Sequence, residues 1–484
     1  MTFQSVTSLI NGKRTAQDGV PLELIHPGDE RCVGHAYQAS DAQIELAVSA
    51  ARRAFEAGSW RDKSVAERHG VLTRLADLIF ENADTLGRLD CEDMGMPIQI
   101  AQEEARLSAD IIRTAAQGIV FLEGSVFTSG PGSHCYSRCV PVGVVAAITP
   151  WNYPTPNVAY KVGPALALGN SVIIKPSEIS PRSAVLVGEL ALQAGVPEGA
   201  IHILVGDGAR VGNALAMHDD IDLISFTGST RAGKLIQQAA GASNAKRVLA
   251  ECGGKSPQIV FADIGDMADL AKNILSSAFA NSGQLCVAKS RLLVERSAAP
   301  ALLDAMAEQL NDYQPSDPTT GSARYGPLAF KRQFEMVREI IAQAQSQGAR
   351  EVGKVDTAAG EGFFVPPTVF ACDDALAPAL QEEIFGPVLS VQCFDDEGQA
   401  IAMANDTRYG LSACVWTRDL GRAHRMADRL EAGSVEVNAL ANPNYDHDAM
   451  AQAGEPLKQS GFGVEGGIDG IKAYGALKSF VFRS

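Results

Sequence analysis

Along the first 120 residues apolar positions recur every three or four residues, the spacing of one buried helix face. DAQIELAVSAARRAFEAGSW (41–60) predicts an amphipathic helix with Asp41 as its N-cap. VAERHGVLTRLADLIFENADTLGRLDCEDMG continues the helical pattern to Gly95 and Pro97, and a further helix is expected over about 100–120. From 140 the rhythm changes to short, wholly apolar runs. VGVVAAITP (142–150), NSVIIKPS (170–177), AIHILVGD (200–207) and DLISFTGS (222–229) read as buried strands. A helix over 180–195, with Ser180 as cap, Pro181 in the first turn and Gly195 at the end, and another over about 209–217 lie between them. Strands alternating with helices predict a parallel sheet covered on both faces.

A second alternating region starts at 256. SPQIVFAD, SRLLVERS, VLSVQCFDD, SACVWTRD and SVEVNAL are its strand candidates; ALLDAMAEQLNDY and FKRQFEMVREIIAQAQSQG are its helices. The tail from about 466 is glycine-rich and closes in KSFVFRS, a terminal strand. The fold class is therefore α/β, in two packed halves without a long linker.

Length supports this division, since 484 residues exceed one hydrophobic core. The 46% hydrophobic and 20% charged content is ordinary globular composition. A formal charge of −16 argues against nucleic acid or an anionic membrane as partner. No run of 18 apolar residues and no signal-peptide core occur, and the nine cysteines are odd in number and scattered. A reducing, cytoplasmic setting is expected. Cys135 and Cys139 form the only close pair, with no second ligand cluster to make a zinc site. The Asp446-His447-Asp448 run reads as a solvated loop, so no metal is expected.

Five stretches, and a sixth that adds to them, could carry chemistry. ITPWNYP (148–154) places Trp151 and Asn152 just beyond a strand, where ligands of open parallel sheets bind. In KPSE (175–178), Lys175 can reach a phosphate or a ribose hydroxyl; Glu178 can hold ribose hydroxyls and repel a 2′-phosphate. FTGSTRAG (226–233) is a strand–turn–helix corner whose free N–H groups favour a phosphate near Ser229, although the spacing is not GxGxxG. ECGGKSP (251–257) puts Glu251 ahead of two glycines that permit close backbone approach. FANSGQLCVAKSR (279–291) contains Cys286. EEIFGPV (382–388) adds Glu383 and Phe385. Taken singly, each of these also reads as a turn, a solvated charge or a packed thiol.

In order and spacing these motifs, with GFFVPPTV (362–369) and NDTRYGLSA (405–413), resemble the aldehyde dehydrogenase superfamily over nearly the whole chain. The resemblance implies a Rossmann-type NAD-binding domain (1–119 and 142–252), an α/β catalytic domain (253–465) and a small β oligomerisation element (120–141 and 466–484). It implies Cys286 as nucleophile, Asn152 as oxyanion donor and Glu251 as general base. Cofactor contacts would come from Ile148, Thr149, Pro150, Trp151, Lys175, Ser177, Glu178, Gly208, Phe226, Gly228, Ser229, Cys252, Glu383 and Phe385. The aldehyde tunnel would involve Tyr153, Asn157, Tyr160, Leu285, Val287 and Tyr445. NAD is expected ahead of NADP, and a homodimer or homotetramer as the assembly.

The implied reaction oxidises an aldehyde to the free acid through a Cys286 thiohemiacetal and thioester. Relatives that pass the acyl group to coenzyme A commonly lack the glutamate at 251, so its presence favours hydrolysis. A catalytically silent relative would be expected to lack Cys286, Glu251 or Asn152. Two departures stand out: Cys252 replaces the usual leucine, and Pro456-Leu457 and Val464 replace Gly-Gly and Arg in the late glycine-rich segment. The tunnel tyrosines suit a flat or mid-sized substrate, and the lack of arginine there argues against a second carboxylate.

Overall fold

The computed structural model describes residues 4–353, 355, 362–372, 378–438 and 454–483. Its largest sheet has eight strands. Five of them are parallel and lie in the spatial order Arg247–Glu251, Leu223–Thr227, Val144–Ile148, Ser171–Lys175, Ile201–Ile203. Val144–Ile148, first of these in the chain, is thus central, and successive connections leave it in opposite directions. That reversal opens a crevice beyond its carboxyl end. Every residue of Val144–Ile148 and Ser171–Lys175 is buried, which accounts for the unbroken apolar run of the first and the apolar centre of the second. Antiparallel strands extend both edges: Gly461–Phe462 beside Arg247–Glu251, and Leu9–Ile10 beside Ile201–Ile203.

The second sheet runs in the order Arg350–Glu351, Thr368–Ala371, Val388–Phe394, Arg291–Glu295, Pro257–Val260, Ser412–Trp416, Ser434–Val437. It is parallel except at Arg350–Glu351. The stretch 251–257 leads directly from the first sheet into the second. A third, antiparallel sheet joins Ser125–Phe127, Ser133–Pro141 and Gly475–Arg483.

Most expected elements are present: helices Asp41–Glu56, Ile98–Gly118, Arg182–Ala194 and Lys331–Ser346, and the strands named above. Some details differ. Ser40, not Asp41, caps the first helix: its hydroxyl accepts from Gln43 N–H while the Gln43 side chain returns a bond to Ser40 N–H. This reciprocal box satisfies two otherwise open donors, whereas Asp41 already lies in the helix. The 65–94 region is two helices, Val65–Glu81 and Ala83–Met94, joined at Asn82 and closed by left-handed Gly95. Ser180 does not cap the 182–194 helix; its hydroxyl donates to the Trp151 carbonyl at 3.2 Å. The expected 209–217 helix is a wide turn, Gly208–Gly212, followed by Asn213–Met217.

Candidate active site

The register of the first sheet aligns the candidate residues along one edge. Lys175 pairs with Ile148, Ile148 with Phe226, and Thr227 with Glu251. The following residues, Thr149 and Pro150 on one strand and Gly228 and Ser229 on another, flank the crevice. Thr149 N–H donates to the Lys175 carbonyl at 3.0 Å. The hydroxyls of Thr149 and Thr227 are buried without a partner among the described residues, and each retains hydrogen-bonding capacity at this edge.

Lys175 is almost wholly buried and donates to Glu178 Oε2 at 3.2 Å. Burial lowers its pKa, while Glu178 opposes the shift. Ser177 Oγ accepts from Ile179 N–H, and Gly208 begins the turn capped by Asp207. Phe226 is buried beneath Gly228, where an added Cβ would lie 2.6 Å from its ring. Ser229 caps the helix Thr230–Ala242 through a 3.3 Å bond from Ala232 N–H, so its positive end faces the crevice. A basic side chain beside a carboxylate, open hydroxyls and a helix N-terminus at a topological switch point fit a dinucleotide.

Cys252, where the resemblance would put leucine, is buried. A Cβ on Gly233 would meet its sulfur at 2.7 Å, and it packs with Phe226 and Ile236 in an apolar cluster. Burial pushes its thiol up to about 12, consistent with a small core residue.

The loop before Cys286 is conformationally costly. Asn281, Ser282 and Gly283 have φ values of 48°, 58° and 75°. Left-handed non-glycine residues cost roughly 1–3 kcal/mol each unless their surroundings hold them. Here Asn281 Nδ2 donates to the Asn152 carbonyl at 2.9 Å, and Asn152 Nδ2 donates to the Gln284 carbonyl at 2.9 Å. Gln284 Oε1 accepts from Ala329 N–H, and Ser282 Oγ donates to the Gly326 carbonyl. The turn beyond the central strand and the loop before the thiol are thereby fastened together.

Cys286 is half-buried, and its pKa is pushed up to about 12 by burial and by Glu383 and Glu251. The backbone N–H groups of Val287 and Cys286 oppose this rise. Both carboxylates therefore act on the thiol. Glu251 itself is raised well above the usual carboxylate range by burial and then by Glu465, with Lys161 opposing. Lys161, buried on the helix Pro154–Leu168, donates to Glu465 Oε1 at 2.5 Å. Sequence reasoning missed this lysine, although a lone charge inside NVAYKVGPALALG was a readable signal. Glu465 lay in the irregular late segment and carried no such signal.

Glu383 Oε1 accepts from Gly254 N–H at 3.0 Å, and a Cβ on Gly253 would collide with its Oε2. Gly253 is therefore required by the close Glu383 carboxylate, and Gly254 by the Cys286 carbonyl, which a Cβ there would meet at 2.5 Å. Phe385 has a φ of 54° and meets Trp151 edge-on at 5.3 Å. Gln333 Nε2 holds it in place by donating to the Ile384 and Phe385 carbonyls.

Among the tunnel candidates, Tyr153 and Leu285 share an apolar cluster with Met94, Met96, Trp151 and Phe330. Asn157 Nδ2 is tied to the Tyr153 carbonyl at 2.9 Å, leaving its oxygen free to accept. Burial raises the Tyr160 phenol, with Glu465 and Glu104 adding to the shift. Val287 is half-buried beside Cys286. Tyr445 and the Asp446-His447-Asp448 run lie outside the described residues. The helix bearing Tyr153 to Tyr160 is anchored by buried Asp90, which accepts from Thr155 N–H and Oγ1 at 3.2 and 2.6 Å; this contact had no sequence signature.

The aldehyde dehydrogenase family matches the chain over residues 14–480. The NADP/NAD-dependent aldehyde dehydrogenase PuuC of Escherichia coli (strain K12) is 41% identical over 474 residues, 97% of this chain and 94% of its own. The crystal structure of the aldehyde dehydrogenase KauB from Pseudomonas aeruginosa aligns with a TM-score of 0.95 at 39% identity, covering 99% of this chain and 97% of its own. An indole-3-acetaldehyde dehydrogenase solved with NAD+ aligns with a TM-score of 0.95 at 39% identity and the same coverage.

Proposed function

The chain belongs to the aldehyde dehydrogenase family and is an NAD(P)-dependent aldehyde dehydrogenase, and from that premise we propose how its own residues perform the oxidation and hydrolysis. Cys286 passes its thiol proton to Glu251 as Sγ attacks the aldehyde carbon, which becomes tetrahedral and places negative charge on oxygen. The Asn152 amide and the Cys286 N–H hold that charge, an interaction of roughly 3 kcal/mol per donor. Asn152 is pre-oriented for this because one amide hydrogen is already committed to the Gln284 carbonyl. The crevice beside Lys175, Glu178 and Ser229 would hold NAD+, which when bound would provide the hydride acceptor for the oxidation.

Glu251 then removes a proton from water, which attacks the thioester and releases the carboxylic acid and the Cys286 thiol. A raised pKa makes Glu251 an effective base once ionised, and Glu465 with Lys161 offers a route for its proton. The observation carrying this reading is the fastening of Asn152 to the loop of Cys286, with Glu251 and Glu383 both acting on the thiol. NADH formation from a panel of aliphatic, aromatic and polar aldehydes tests it. Wild type should turn over and Cys286→Ala should not; equal rates would refute the assignment.

Lys175 and Glu178 are assigned to the adenosine ribose, Ser229 and Gly208 to the neighbouring turns, and Glu383 and Phe385 to the nicotinamide ribose and ring. Glu178 beside Lys175 favours NAD over NADP through repulsion of a 2′-phosphate. The third sheet is assigned to self-association. Val126, Phe127, Leu477, Val481 and Phe482 are exposed on it, spread over both faces. A three-stranded sheet with apolar side chains on both faces gains most from burial against another copy.

A further inference from the structure

The stretch ECGGKSP contains a charged group that the mechanism above leaves unused. Lys255 is 1% exposed, and its ammonium has no hydrogen-bond partner among the described residues. A buried charge without a partner is costly, so such a lysine either gives up its proton or serves a nearby charge. The acid that acts on it most strongly is Glu383, which contacts Gly253 and Gly254, the two residues before it in the chain. The same two glycines touch that carboxylate, one through its N–H and one through its bare Cα.

We propose that Lys255 is a positioning residue for the cofactor end of the site: its ammonium is the buried counter-charge that keeps the Glu383 carboxylate available to accept two ribose hydroxyls. The inference rests on Glu383 being the nicotinamide-ribose contact. A carboxylate accepts two hydroxyl hydrogens, whereas a protonated carboxyl must donate one of its own. Burial raises Glu383 to about 7, with Gly254 N–H, Lys255 and Arg408 opposing. Burial and Arg291 lower Lys255 to about 7, with Glu383, Cys372 and Glu382 opposing. Glu383 also acts on Cys286, Cys252 and Tyr409. Arg408 is exposed and paired with Glu382, so of the two cations that act on Glu383 Lys255 is the buried one. Near neutrality the pair shares protons, and hydroxyls arriving at Glu383 select the state with the proton on Lys255.

The test is NAD+ binding to the whole protein, by calorimetry or tryptophan fluorescence, from about pH 6 to 9 for wild type, Lys255→Met, Lys255→Arg and Glu383→Gln. In Lys255→Met the affinity should fall about tenfold at pH 7 and recover as pH rises, with its midpoint displaced upward by about one pH unit. Lys255→Arg should stay near wild type. Glu383→Gln should bind weakly with no pH limb, and adding Lys255→Met to it should change nothing further. A pH-independent loss in Lys255→Met, or a full additional loss in the double variant, would overturn the proposal in favour of a packing role. Wild-type binding by Glu383→Gln would instead remove the ribose assignment, and the inference with it. Should Lys255→Met not fold, Lys255→Gln gives the same reading.

Discussion

The side-chain amide of Asn152 donates a 2.9 Å hydrogen bond to the carbonyl of Gln284, two residues before Cys286. A turn beyond a strand of the first sheet is thus tied to the loop that carries a thiol just before a strand of the second. Asn152→Ala should lower kcat/KM by about 10²–10³-fold through loss of the oxyanion donor. It should also lower the melting temperature, because the Gln284 carbonyl loses a buried partner worth roughly 1–3 kcal/mol. Steady-state kinetics read the first effect and thermal melts the second.

The glycines of ECGGKSP make a steric prediction. A Cβ at Gly253 collides with Glu383 Oε2. Gly253→Ala should therefore displace Glu383 and weaken NAD+ binding about tenfold or more, an effect read by titration. Unchanged affinity would show that the carboxylate is not needed where it stands.

The proposed preference for NAD rests on Lys175 and Glu178, a pair 3.2 Å apart at the edge of the crevice. Glu178→Gln removes the negative charge, leaves the buried lysine, and should shift the NADP/NAD ratio of kcat/KM towards NADP by about tenfold or more. The check is kinetics with both cofactors; a fixed ratio would place the discrimination elsewhere.

The pH dependence has a definite sign. Burial raises Glu251, and burial with both carboxylates raises Cys286. The reacting forms of both groups are the deprotonated ones, so kcat/KM should climb as pH rises and decline on acidification. In Glu251→Gln the Glu251 contribution to that limb should vanish, which full pH–rate profiles would reveal.

Much of this was legible in the sequence, for identifiable reasons. Apolar runs such as VVAAI, and the VII centre of SVIIK, are what a doubly covered parallel strand requires, and they are strands. The site residues with motif context, Asn152, Glu251, Cys286 and Glu383, come together because strand register and the 251–257 link place them at one edge. What escaped was set by tertiary contact. RVLAE (247–251) is exposed at its start and mixed in polarity, and becomes a strand only through its neighbours on both sides. The Asp90–Thr155 anchor and the Lys161–Glu465 bond span 65 and 304 residues, distances at which no local pattern operates. The Asp41 cap was misplaced by one residue because Ser40 and Asp41 are both good capping types; the Gln43 side chain decided between them.

The central claim is that Cys286 carries the acyl group and Glu251 hydrolyses it. The most direct measurement mixes Glu251→Gln rapidly with NAD+ and a good aldehyde, follows NADH, and weighs the intact protein after quenching. The account requires one NADH per active site, little turnover afterwards, and an acyl adduct that maps to Cys286. Steady turnover at the wild-type rate, or a burst that leaves Cys286 unmodified, would contradict it.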